Sequence, residues 1–72
     1  MINDYSLKRL GELDLSKEIG NKLKHLRKSR KLTQQEVSEK VDEAISRSTI
    51  SNYEIGRRTP HLTDLQKLAD VY

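Results

Sequence analysis

The chain has no cysteine, phenylalanine or tryptophan, and a single proline and three glycines among its 72 residues. Without cysteine there are no disulfides and no thiolate metal sites, which argues against a small extracellular scaffold, since such scaffolds lean on disulfides at this size. A reducing, cytoplasmic setting is expected. Without Phe or Trp, and with only Tyr5, Tyr53 and Tyr72 as aromatics, the core has to be built from Leu, Ile and Val at helical spacing. No run approaches the roughly 20 apolar residues of a membrane span, and the opening MINDYSLKRL lacks the basic-then-apolar order of a signal peptide, so no membrane partner is expected. A chain this short has room for one domain, whose core rarely supplies more than about 3–5 kcal/mol without staples. The fold must therefore be compact and well specified locally.

What is present is charge, unevenly placed. Residues 19–60 carry ten basic and five acidic side chains, whereas residues 1–18 carry three and four, and residues 61–72 carry one and two. The positive excess sits in the middle of the chain and suggests a polyanionic partner, although an ordinary lysine-rich surface gives a similar balance. Strand signals are weak and helix signals frequent. Ser16 is placed to be an N-cap ahead of a helix to about residue 30, with Ile19, Leu23 and Leu26 on one face. Thr33 and Glu36 have capping-box spacing, with Leu32 and Val37 as a hydrophobic staple. They open a short helix from Gln34 to about Val41, in which Val37 and Val41 turn inward and Ser38 is small enough to let another helix approach.

Ser46 repeats the start signal, with Ile45 and Ile50 at staple spacing, for a helix from Arg47 to about Ile55 that Gly56 ends in a left-handed conformation. Pro60 prevents its continuation. A last helix beginning between His61 and Thr63 places Leu62, Leu65, Leu68, Ala69 and Tyr72 on one apolar face. Residues 1–15 form either an arm or a short extra helix using Leu7 and Leu10, ahead of a domain over residues 16–72.

Two short helices joined by a brief turn, the second polar on its outer side, make a helix-turn-helix pattern over about residues 33–56. Several residues then fall in a familiar order: Arg27, the LTQ of Leu32 to Gln34, the SRSTIS of Ser46 to Ser51, Glu54-x-Gly56, and Pro60-x-Leu62. Together they resemble the helix-turn-helix domain of the Cro and lambda-repressor (XRE) family over about residues 19–72. The resemblance implies an all-α, compact four- to five-helix domain, and a sequence-specific DNA-binding transcriptional regulator of repressor type that occupies an operator. Such proteins commonly carry one residue between the positions of Val41 and Ile45, where this chain has Asp42, Glu43 and Ala44. The two extra residues either extend the second helix or lengthen the turn.

At 100° per residue, Ile50 and Tyr53 turn towards the core, while Ser48, Ser51, Asn52 and Ile55 point away and Arg47 leads at the helix start. Short polar groups let a helix sink into a major groove, where Arg pairs with guanine and Asn with adenine through two hydrogen bonds each. Arg47, Ser48, Ser51 and Asn52 are thus candidate base readers, the blander alternative being a solvated helix face. The resemblance makes Gln34 a phosphate contact, with simple capping support as its alternative. Arg57 and Arg58 flank the same helix as candidate phosphate contacts, or are a solvated pair of charges. Lys28, Arg30 and Lys31 extend the basic surface if they share that side.

The resemblance also pairs Arg27 with Glu54, linking the first helix to the third, against the alternative of two independent charges worth little. His25 and His61 lack partners at metal-ligand spacing, and no Ser-His-Asp set, phosphate loop or acidic pair stands out. No metal, cofactor or enzymatic activity is expected. The partner expected is a double-stranded operator with inverted half-sites, bound by a homodimer. The competing reading is a protein-docking module of antitoxin or antirepressor type, which Ile55 on the outward face would serve.

Overall fold

A computed structural model describes residues 15–72; the arm or extra helix expected over residues 1–15 lies outside the described residues except for Leu15, which belongs to the first helix. Four α-helices and no strands make up these residues: α1 (Leu15–Ser29), α2 (Gln34–Lys40), α3 (Arg47–Glu54) and α4 (Leu62–Val71). The all-helical expectation holds, with helix ends within about a residue of those read from the sequence. Ser16 is an exception, because α1 already includes Leu15 and Ser16 lies within the helix rather than capping it. Its hydroxyl is therefore available to a distant partner, the hydroxyl of Thr59.

The start of α2 is a complete capping box. The Thr33 hydroxyl accepts from the Glu36 N–H at 3.1 Å, and the Glu36 carboxylate accepts from the Thr33 N–H at 2.9 Å. Ser46 caps α3 by accepting from the Thr49 N–H at 3.1 Å. Three helices end alike, with a left-handed residue whose N–H, and that of the next residue, turn back to the last free carbonyls in a Schellman arrangement. At α1 the left-handed residue is Lys31 (φ 58°), with Leu32 N–H on the Arg27 carbonyl; at α3 it is Gly56 (φ 79°), with Arg57 N–H on the Asn52 carbonyl.

The end of α2 decides the matter of the two extra residues. Asp42 (φ 53°) gives its N–H to the Glu39 carbonyl at 3.0 Å, and Glu43 (φ 59°) gives its own to Ser38 at 2.8 Å. The helix is closed after Lys40, so the insertion lengthens the turn and leaves α2 short.

Val37, Ile45, Ile50, Tyr53 and Leu68 are almost wholly buried and, with Leu23, form the core. Leu65 and Tyr72 pack at its edge, but Leu62 is 72% exposed and Ala69 is also exposed, so the buried stripe of α4 is narrower than the apolar pattern suggests. Leu26 likewise sits at the rim of α1. α1 and α3 come close together at Gly20, where a Cβ would stand 2.2 Å from the Tyr53 carbonyl oxygen and 2.6 Å from that of Glu54. Only a residue without a side chain lets the first helix lie against the end of the third. Ser38 joins α2 to the start of α3, donating from its buried hydroxyl to the Ile45 carbonyl at 2.7 Å.

Candidate nucleic-acid interface

The eight residues of α3 divide into two faces. Ile50, Tyr53 and Glu54 face inward and are buried. Arg47 and Ser48 are exposed at the helix start, Ser51 and Asn52 are half-buried, and Ile55, the C-cap, is 55% exposed. Thr49 is drawn back to the cap, its hydroxyl 2.9 Å from that of Ser46, which leaves the polar face to the other four side chains.

A buried ion pair mounts this helix on α1. The Arg27 Nε donates to Glu54 Oε2 at 2.7 Å and its Nη2 to Oε1 at 2.9 Å, with 10% and 2% of the two side chains exposed. The third limb of the guanidinium, Nη1, donates to the Leu32 carbonyl at 2.8 Å. Three donors in one plane thus fix α1, the loop before α2, and α3 relative to each other, a geometry that a lysine has no means to reproduce. The hydrogen bonds to Glu54 outweigh the effect of burial and hold Arg27 above its ordinary pKa, so the guanidinium stays charged.

Gln34, the first residue of α2, donates from its side-chain amide to the same Glu54 Oε1 at 3.1 Å. Glu54 therefore gathers both the helix before the turn and the helix that carries the polar face. An amide nitrogen has two hydrogens, and one of the pair on Gln34 is used in this bond. Spacing gave no sign of the Gln34–Glu54 contact, which joins residues twenty apart.

Beyond α3, Arg57 and Arg58 are exposed, and both backbone N–H groups converge on the Asn52 carbonyl, at 2.9 and 3.3 Å. The helix end that presents Asn52 and the loop that presents the two arginines are thereby held in one register. Lys28, Arg30 and Lys31 are exposed around the end of α1. At the far side of the loop, the Tyr53 hydroxyl donates to Asp64 Oδ2 in the first turn of α4 at 2.5 Å. Burial above all, then this hydrogen bond, pushes Tyr53 up to about 12, so it is a neutral donor at physiological pH.

Sequence reasoning passed over Gly20, the one signal for which was an isolated glycine in an otherwise helical pattern. It also passed over Asp64, whose partner is on another helix. Among the described residues, no group of three His, Asp or Glu side chains is arranged to hold a metal ion, and no helix is long and apolar enough to cross a membrane.

A family model described as helix-turn-helix matches residues 23–72, well over half of the chain. No curated protein and no solved structure matches it.

Proposed function

From the premise that the chain belongs to the Cro and lambda-repressor-like (XRE) helix-turn-helix family and is a DNA-binding transcription regulator of a non-enzymatic domain type, we propose that it is a sequence-specific repressor, with α3 in the major groove of a double-stranded operator. The observation that carries this reading is the polar outer face of α3, held on α1 and α2 through the buried Glu54. Arg47, Ser48, Ser51 and Asn52 read base edges. Gln34 contacts phosphate with its second amide hydrogen, and Arg57 and Arg58 contact phosphate beyond the other end of α3.

One such helix reads only a few base pairs, so a homodimer on inverted half-sites about 34 Å apart raises the specificity. The setting is the cytoplasm, in contact with the chromosome. A protein-docking role has one observation in its favour, the 55% exposed Ile55 at the end of α3, but an apolar group there also suits a thymine methyl.

The test is affinity for a duplex selected from a random-sequence pool and for its scrambled counterpart, across salt. With roughly four to six phosphate contacts per monomer, log K against log[salt] should slope about −4 to −5. Arg47→Ala and Asn52→Ala should each lose about 1–3 kcal/mol on the selected duplex and relax the preference, whereas Arg57→Ala should weaken both duplexes alike. A flat salt response would favour the protein-docking role, and an unchanged preference in both Arg47→Ala and Asn52→Ala would remove α3 as the reader.

A further inference from the structure

The loop between α3 and α4 carries two cations and is tethered along its length. At its start, the N–H groups of Arg57 and Arg58 are on the Asn52 carbonyl and that of Gly56 is on Tyr53. In its middle, the Thr59 hydroxyl is bonded to Ser16 of α1, and Pro60 is buried. At its far end, Asp64 receives the Tyr53 hydroxyl at 2.5 Å, a bond that spans eleven positions and closes the loop on the helix it left. The phenol ring is 1% exposed and fills the core as a phenylalanine would. What the hydroxyl adds is the reach to Asp64. The orientation of α3 has a separate support, because Arg27 and Gln34 hold Glu54 without involving the Tyr53 hydroxyl.

We propose that Asp64 is a positioning residue for phosphate contact: through the Tyr53 hydroxyl it fixes the place of the loop that presents Arg57 and Arg58. The inference rests on the DNA-binding reading above. A loop held in its bound form before contact loses less conformational freedom on binding, and the saving appears as affinity for any duplex rather than as preference between duplexes. Asp64 also sits in the first turn of α4, where its charge suits the helix dipole, and the His61 N-cap makes no side-chain capping bond. The two roles separate chemically. Asparagine keeps an acceptor for the Tyr53 hydroxyl and gives up the charge, whereas alanine gives up both.

The experiment measures the affinity of the wild type, Asp64→Ala, Asp64→Asn, Tyr53→Phe and the double variant Tyr53→Phe/Asp64→Ala for the selected and scrambled duplexes across salt. All are held well below their melting temperatures, as shown by circular dichroism. Asp64→Ala and Tyr53→Phe should each bind both duplexes about three- to tenfold more weakly, the range expected from one hydrogen bond, with the ratio between duplexes kept. Their salt dependence should keep the wild-type slope, because the same phosphates are contacted once the loop has been ordered. Asp64→Asn should stay within about twofold of the wild type, and the double variant should be no weaker than the weaker single one.

The proposal is overturned if Asp64→Ala binds like the wild type, if Asp64→Asn is as weak as Asp64→Ala, if both variants bind more tightly because a charge repelling phosphate has gone, or if the ratio between duplexes collapses. A wild type without salt-dependent duplex binding would instead bring down the DNA-binding reading, and this inference with it.

Discussion

On the inner face of α3, Ile50, Tyr53 and Glu54 are buried, and the polar ends of Tyr53 and Glu54 are held by Asp64, Arg27 and Gln34. On the outer face, Arg47, Ser48 and Ile55 stand in solvent. One helix of eight residues thus contains side chains whose identity is dictated by three neighbouring helices and side chains that the fold leaves open. The difference separates how the helix is aimed from what it reads. Residues of the outer face can change without disturbing the mount, whereas loss of the Arg27–Glu54 pair on the inner face takes away what aims the reading surface.

The largest effect should come from breaking the mount. Glu54→Ala leaves the Arg27 guanidinium buried without its carboxylate and should lower stability by about 3–5 kcal/mol, most of what a domain of this size has. Glu43→Ala, in the exposed turn, should stay within about 0.5 kcal/mol. Urea unfolding of both proteins checks the contrast, and a double-mutant cycle with Arg27→Ala should show a coupling of at least about 0.5 kcal/mol. Strict additivity would mean that the pair contributes only as two separate charges.

The close approach of α1 should come next. In Gly20→Ala the new methyl meets two backbone oxygens, which have no side-chain freedom to yield, so a loss of about 1–3 kcal/mol is expected in the same unfolding experiment. If instead the gain in helix propensity prevails and Gly20→Ala is more stable, the two helices are not in contact there.

The smallest effect lies on the exposed side and concerns Glu36, whose environment contrasts with that of Glu54. The bond from the Thr33 backbone N–H, then that from the Thr33 hydroxyl, hold the Glu36 carboxyl below its ordinary value of 4.5. The folded-state value is the lower one, so the contribution is complete above pH 4.5 and is lost as pH falls through the folded-state value. Glu36→Gln keeps a capping side chain without the titration. Thermal melts between about pH 5 and pH 3 should show a flatter acid limb for Glu36→Gln than for the wild type, and parallel limbs would show that the capping carboxylate is not coupled to folding.

Local devices were legible in the sequence because both partners lie within four residues of each other. The Thr33–Glu36 capping box, the Ser46 cap and the Gly56 stop are of this kind. The core was legible in outline, since Val37, Ile50, Tyr53 and Leu68 follow the helical period and Ile45 has staple spacing to Ile50, but periodicity overstated α4 by including Leu62 and Ala69. Its apolar stripe is wider than the surface available to cover it. Residues whose meaning is set by another helix were not legible from pattern alone. Ser16 has the chemistry of a cap and is used as a tether, Gly20 signals only a break in the helical pattern and not which helix it meets, and Gln34 and Asp64 meet partners far along the chain. The Arg27–Glu54 pair entered the sequence reading through family resemblance rather than spacing, for twenty-seven positions separate the two residues.

The turn after α2 has a further use as a place to add sequence. Asp42, Glu43 and Ala44 are all exposed, α2 is already closed by the bonds to Glu39 and Ser38, and Ile45 is planted in the core on the other side. Length at this point is decoupled from direction, because extra residues loop into solvent between two anchors that stay where they are. Two successive left-handed residues other than glycine show that the chain tolerates an awkward path here. A reporter peptide or a tether inserted between Glu43 and Ala44 would keep both closing bonds and leave α3 pointing where it points now, making this turn a port through which the domain can be joined to other parts.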